Sequence, residues 1–263
     1  MTDALHGSEG GTHRRARVLS RLREVGVLSV ADLARELGVS HMTVRRDLQR
    51  LEMTGHVRTV HGGVGLAVGG SDVRRPGAAE DRAGARRVAR RAAELVGAGD
   101  SVALDAGPVA YELARALPED FTGSVVTHSM PVMHLLAERA GEPAGPRLVV
   151  LGGELTGRRQ ALVGPATTDA IAGLRVRTFF LDAAAVDLRG TYACTTAEAR
   201  VERGLAEIAD EVVLLAPATA YTDSAPALVA TLNRLTAVVS DGWPPAPVAA
   251  ALDRAGVALH IAN

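Results

Sequence analysis

Lysine is absent from the 263 residues, so all 29 basic side chains are arginine. This bias reads as nucleotide composition of the source before it reads as function. Aromatics make up only 3%, and cysteine occurs once, at Cys194. A single cysteine excludes an internal disulfide, and with no Cys or His partners at ligand spacing it supports no metal site. No cofactor or metal is expected, and Cys194 is assigned no chemistry. No run approaches the ~20 apolar residues of a membrane span, and the start, MTDALHGSEGGTHRR, lacks the apolar core of a secretion signal. A cytoplasmic protein without membrane contact is expected.

What is present is a globular balance of 47% hydrophobic and 22% charged residues. The net charge is −1, but it is unevenly spread. From His13 to Gly63 there are ten Arg against five acidic residues, and from Pro76 onward 17 Arg against 22. One end therefore suits a polyanion and the other does something else.

Residues 1–12 are polar and aperiodic, as expected of a tail. From Arg14, Val18, Leu19, Leu22 and Val25 mark one helical face, and Gly26 ends it. Ser29 and Asp32 form an S-x-x-D start for a second, short helix carrying Val30, Leu33, Ala34 and Leu37, which Gly38 closes. Ser40 then caps a third helix with Val44, Leu48 and Leu51 inward, stopping at Gly55. The segment HVRTVHGGVG alternates like a strand, and Gly62-Gly63 permits a tight hairpin turn. The spacing predicts a winged helix-turn-helix over residues 14–65, followed by a linker over 66–79. Over 80–263, the runs SVALD, SVVTH, RLVVL, TFFLD, EVVLL and AVVSD alternate with Ala/Leu-rich helical stretches. That rhythm predicts βα repeats and a mostly parallel, Rossmann-like α/β domain.

A charged helix face alone is usually only solvated. Here spacing, Gly turn, N-cap and outward arginines agree in order, and the second helix of such a pair lies in the major groove. The expected DNA-contacting set is Ser40, His41, Met42, Thr43, Arg45, Arg46, Gln49 and Arg50. Arg45 or Arg46 could pair with guanine and Gln49 could reach adenine or phosphate. Arg58 on the strand and His61 at the wing tip suit backbone contact.

The segment ELGVSHMTVRRDLQRLEMTGHVRTVHGG strongly resembles the N-terminal signature of the DeoR family of bacterial regulators. SVALDAG, VVTHSMPV, LGGELTG, LVGP and TAEARVER follow in the family's order, so the resemblance spans nearly the whole chain. It implies a repressor of carbohydrate-related genes, with a winged helix joined to a sugar-phosphate-sensing domain similar to sugar-phosphate isomerases. It places the effector pocket at Asp105-Ala106-Gly107, Thr127-His128-Ser129 and Gly152-Gly153, on loops after the strands where helix N-termini attract anions.

Three positions depart from the family's pattern. Pro108 and Val109 stand where small hydroxyl residues are usual, Glu202 aligns with a lysine, and Pro217-Ala218-Thr219-Ala220-Tyr221 replaces Asp-His-Ser-Lys-Phe. A carboxylate in place of a cation ~4 Å from a phosphate reverses a term worth ~4 kcal/mol at an effective dielectric of 20. Arg158, Arg159, Arg200 or Arg203 could supply charge from another direction. The order of expectation is an altered ligand, then a lost one, then an ordinary phosphosugar. Two further readings stay open: an isomerase-like enzyme using Asp105, Asp182 or Asp187 as base, and a second domain that serves only to oligomerise. Homo-oligomers are expected, because paired operator half-sites call for paired recognition helices.

Overall fold

A computed structural model describes residues 14, 15, 17–22, 27–53, 57–60, 63–66, 78–142, 144–156 and 159–262. The chain divides into two compact units, Met1–Ala78 and Ala79–Asn263.

In the first unit, helix α1 (helical at 14, 15 and 17–22) is followed by β1 (Val27–Leu28), α2 (Val30–Leu37) and α3 (His41–Met53). Strands β2 (Val57–Val60) and β3 (Gly63–Leu66) come next. The Ser29 hydroxyl accepts from Asp32 N at 3.1 Å at the start of α2, as its S-x-x-D spacing predicts. Gly38, at φ 65°, closes that helix by returning its N–H to Ala34 O. Only Gly38, Val39 and Ser40 separate the two helices. The hairpin pairs Val60 with Gly63; of the turn expected at Gly62-Gly63, residue 62 lies outside the described residues, as does 61. The sequence reading missed β1, which pairs with β3 and makes the wing three-stranded. Val18, Leu22, Leu28, Leu33, Val44, Leu48, Leu51, Val57 and Val64 form one core.

The second unit opens with α4 (Ala78–Ala93), then β4 (Ser101–Leu104), α5 (Pro108–Ala116), β5 (Ser124–Thr127), α6 (Met130–Ala140) and β6 (Arg147–Val150). The short pair β7 (Glu154–Leu155) and β8 (Leu162–Val163), then α7 (Pro165–Ile171), lead to β9 (Val176–Leu181). Next come β10 (Ala185–Asp187), β11 (Gly190–Ala193), α8 (Thr196–Glu207), β12 (Ala209–Leu215) and β13 (Ala227–Ala230). The chain closes with β14 (Ala237–Ser240), α9 (Ala246–Arg254) and β15 (Ala258–Ile261).

Seven strands form one parallel sheet in the order β15-β14-β12-β9-β4-β5-β6. The five inner strands are buried on both faces, which is why they read as continuous apolar runs, while the edge strands β15 and β6 are part-exposed. Val102, Leu104, Phe180, Val213 and Leu215 pack on one face, and Ala103, Phe179, Leu181, Val212 and Leu214 on the other. The strand order reverses between β4 and β9. In a doubly wound sheet that reversal opens a crevice beyond the carboxyl ends of the strands. A second, antiparallel sheet, β10-β11-β13, was not foreseen, because its short strands carry no long apolar run.

Candidate DNA interface and effector cleft

Helix α3 buries Val44, Leu48 and Leu51, and this fixes which residues face outward. Ser40, His41, Met42, Arg45, Arg46, Gln49 and Arg50 are exposed and Thr43 half-buried, with Met42 at 70%. The Ser40 hydroxyl accepts from Thr43 N at 3.2 Å and lies 2.9 Å from the Thr43 hydroxyl. The predicted contact set thus runs from Ser40 just before α3 to Arg50 in its second half, with most of it in the first two turns, apart from the wing residues. Arg58 lies in β2, opposite Gly65, and His61 falls outside the described residues.

The arginines of this unit divide into two kinds. Arg21 makes a two-pronged pair with Glu36, joining α1 to α2. Arg14 and Arg15 reach Asp47 at 2.5 and 3.4 Å, joining α1 to α3. Asp47, only 2% exposed, is a positioning residue that the periodicity did not single out. By contrast, Arg45 and Arg46 have no hydrogen bond or ion pair among the described residues. Their guanidinium donors are unspent, and a planar fork of that kind matches a guanine edge or a phosphate.

In the second unit, a cleft of about 610 Å³ opens beside α5 and α6, lined by Gly107, Pro108, Tyr111, Ser129, Arg159 and Cys194 among others. A recess of about 240 Å³ shares Pro108, Arg159, Ala184 and Asp223 with it and reaches Asp182 and Ala220. Both lie at the strand-order reversal.

Asp105, at the end of β4, is fully buried. Its Oδ1 accepts from Ala106 N at 2.7 Å and its Oδ2 from Asp182 N at 2.9 Å, so one carboxylate ties the ends of β4 and β9 together. His128 Nε2 lies 2.9 Å from Asp105 Oδ1, and Nδ1 lies 3.1 Å from Leu162 O. Thr127 donates to Leu104 O at 2.8 Å and accepts from Ser129 N at 3.1 Å. Asp105, Ala106, Thr127 and His128 therefore form a buried floor, whereas Gly107 and Ser129 line the cleft. Gly152 and Gly153 are exposed and not among the lining residues. Gly152 O accepts from the Thr167 hydroxyl at 2.6 Å, and a Cβ at Gly153 would meet that hydroxyl at 2.0 Å.

Asp182, at the end of β9, turns its carboxylate onto the start of α5. Its Oδ2 accepts from Val109 N at 2.7 Å and from Ala110 N at 3.0 Å. A Cβ at Gly107 would lie 2.2 Å from that oxygen, so the glycine makes room for the contact. Burial pushes Asp182 up to about 6, against the opposing pull of Arg159 and the Ala110 N–H. The group is still mainly ionised at neutral pH.

Arg159 donates through one guanidinium nitrogen to Ala106 O and Asp182 O, each at 3.1 Å. Burial alone would lower its basicity, but the carboxyls of Asp182, Asp105 and Glu202 outweigh it and raise it, keeping the guanidinium charged. Glu202 is 1% exposed, and its Oε2 has no hydrogen-bond partner among the described residues. Burial, then Asp105, pushes it well above the usual carboxylate range. Of the other arginines considered, Arg203 is committed to Leu228 O, Arg200 is exposed, and Arg158 lies outside the described residues.

Residues 14–68 match the DeoR-like helix-turn-helix domain, and residues 81–242 match the DeoR C terminal sensor domain. The chain is 30% identical over 247 residues to the transcriptional regulator GlpR of Haloferax volcanii, covering 93% of this chain and 95% of that protein. It is 28% identical to the transcriptional repressor AccR of Agrobacterium fabrum, covering 87% and 88%. It is 27% identical to the glycerol-3-phosphate regulon repressor of Escherichia coli, covering 90% and 93%. These relatives are transcription regulators, not enzymes. A ribose 5-phosphate isomerase of Methanocaldococcus jannaschii superposes at a TM-score of 0.35, with 20% identity and 51% of each chain covered, which is too slight a likeness to argue from. Among the described residues no helix is long and apolar enough to cross a membrane. On the sensor-domain match over most of its length and the helix-turn-helix match ahead of it, this chain belongs to the DeoR family of DNA-binding transcription regulators.

Proposed function

We propose that this protein is a cytoplasmic transcriptional repressor that binds duplex operators with the exposed face of α3 and responds to a small molecule in the cleft of its second unit. The observation that carries the reading is the pair Arg45 and Arg46, exposed on the predicted recognition helix with no partner among the described residues. Arg21, Arg14 and Arg15 are spent on holding the helices together; Arg45 and Arg46 are left for a partner outside the chain. The contact set is Ser40, His41, Met42, Thr43, Arg45, Arg46, Gln49 and Arg50, with Arg58 and His61 of the wing on the backbone.

The likeness to a repressor named for the glycerol-3-phosphate regulon supports control of carbohydrate-related genes. The cleft at the strand-order reversal is where ligands of doubly wound sheets sit, and Gly107, Ser129 and Arg159 are placed to touch one, over the floor of Asp105, Ala106, Thr127 and His128. A homo-oligomer is the working form, because it presents two copies of α3 to paired half-sites. Selecting bound fragments from genomic DNA tests the reading. A recurring two-part motif beside carbohydrate genes, with fragments released by a small metabolite, is expected; retention governed only by salt and fragment length would overturn it.

A further inference from the structure

The start of a helix at the mouth of a doubly wound sheet is a ready anion site, because its first N–H groups have no partner within the helix. Three helices begin beside this cleft, and each already has an internal partner. On α5, Asp182 takes the N–H groups of Val109 and Ala110, and Pro108 has no N–H to offer. On α6, Ser129 takes Val132 N, and Pro131 likewise lacks a donor. On α8, which follows the cleft-lining Cys194, Thr195 accepts from Glu198 N while Glu198 accepts from Thr195 N. The charge of Arg159 is also engaged, by two carbonyls and by the surrounding carboxyls, while Arg82, the other arginine among the lining residues, stands with the acids Glu112 and Asp223.

We infer that Asp182 fills, from within the chain, the place an anionic ligand group would take on α5, so that this helix start offers no site to a phosphate ester or carboxylate and the cleft favours an unphosphorylated, hydroxyl-bearing ligand. The inference rests on the proposed sensing role of this cleft. It names Asp182 as the specificity-determining residue and Gly107 as the position that admits it. A phosphate brought to α5 would meet a carboxylate 2.7 Å from the first available N–H, and like charges at such spacing repel strongly in a half-buried site. Beside the charged Arg82, Glu112 and Asp223, the cleft wall carries neutral polar groups, the Ser129 and Tyr111 hydroxyls and the Gln160 amide, which suit ligand hydroxyls.

Calorimetric titration and thermal unfolding of the full chain test this, using inorganic phosphate and matched pairs of a free sugar and its monophosphate ester. The wild type is expected to show no saturable response to phosphate or to the esters. Asp182→Ala bares the Val109 and Ala110 N–H groups beside Arg159, and is expected to bind phosphate at least about tenfold more tightly, the equivalent of one charge-assisted hydrogen bond. Asp182→Asn, which keeps the shape and removes the charge, is expected to gain a smaller part of that affinity, and it serves if the alanine variant fails to fold. Saturable binding of phosphate or an ester by the wild type, unchanged in the variants, would overturn the inference. In a parallel DNA arm, release of wild-type protein from its selected fragment by the free sugar of a pair supports it. Release by the ester alone overturns it and leaves the regulator reading standing. Failure to select any DNA removes that reading without touching the titration result.

Discussion

The two units handle arginine in opposite ways. On α3, Arg45 and Arg46 stand exposed with no partner among the described residues, while Arg159 in the cleft is surrounded by Asp105, Asp182 and Glu202 and donates to two carbonyls. An unspent guanidinium on a rigid helix is a recognition group for an external anion, and a neutralised one is a structural element. The same residue type therefore points to DNA in one unit and away from a phosphorylated ligand in the other. Net charge over a segment, which first separated the two ends of the chain, catches only part of this. The partner of each arginine decides its use.

The contrast can be broken at its most buried point. Asp105→Ala removes the acceptor for Ala106 N, Asp182 N and His128 Nε2 in a fully buried site, and should cost ~3–5 kcal/mol in denaturant unfolding of the second unit. A loss under ~1 kcal/mol would mean that water replaces these bonds and that the cleft floor is less closed than described.

Asp182 offers a pH test whose sign is fixed by its folded value of about 6 against an ordinary 3.8. The folded state holds the Asp182 proton more tightly, so the contribution favours folding below 3.8 and is lost as pH rises through 6. Asp182→Asn, which cannot ionise, should gain stability relative to wild type by up to about 3 kcal/mol across that window. Parallel stability curves for the two proteins would show that Asp182 titrates as an ordinary surface acid.

In the first unit the corresponding loss should be smaller. Asp47→Ala frees Arg14 and Arg15, which are part-exposed and can turn to water, so about 1–3 kcal/mol is expected, with weaker operator binding because α3 loses its tie to α1. If Asp47→Ala cost as much as Asp105→Ala, the electrostatic contrast between the units would narrow. Least of all, Ser29→Ala should cost about 1 kcal/mol through loss of the α2 cap, read from the unfolding of the same unit.

Much of this molecule was legible before its structure. The helix-turn-helix was written in local signals, namely Ser29 and Ser40 as caps, Gly38 as a left-handed stop, and apolar spacing that left Arg45 and Arg46 outside. All six apolar runs named in the sequence became strands of the parallel sheet; the five inner ones have nothing to alternate with because both their faces are buried, while RLVVL forms the part-exposed edge strand β6. Strand β15 was missed as a part-exposed edge with no such run, and β1 because it has only two residues. The cleft was only half legible. Asp105 and Ser129 came from the family's order, but Tyr111 and Gln160 reach the cleft from separate helices and loops, and no spacing rule brings them together. Glu202 stood out in the sequence by its charge; its burial, 1% exposed on α8, is not written in the local sequence. The residue that most bears on the ligand, Asp182, was read only as a candidate base, since nothing local to it says that it caps a helix over 70 residues away in sequence.

The account's central claim is that α3 reads base sequence through Arg45 and Arg46. The direct measurement is binding of wild type, Arg45→Ala and Arg46→Ala to a selected operator and to a random duplex of equal length at one salt concentration. The predicted result is a loss of ~1–3 kcal/mol per substitution on the operator and a smaller loss on random DNA. Equal losses on both would reduce these residues to phosphate contacts, and unchanged affinity for the operator would contradict the claim.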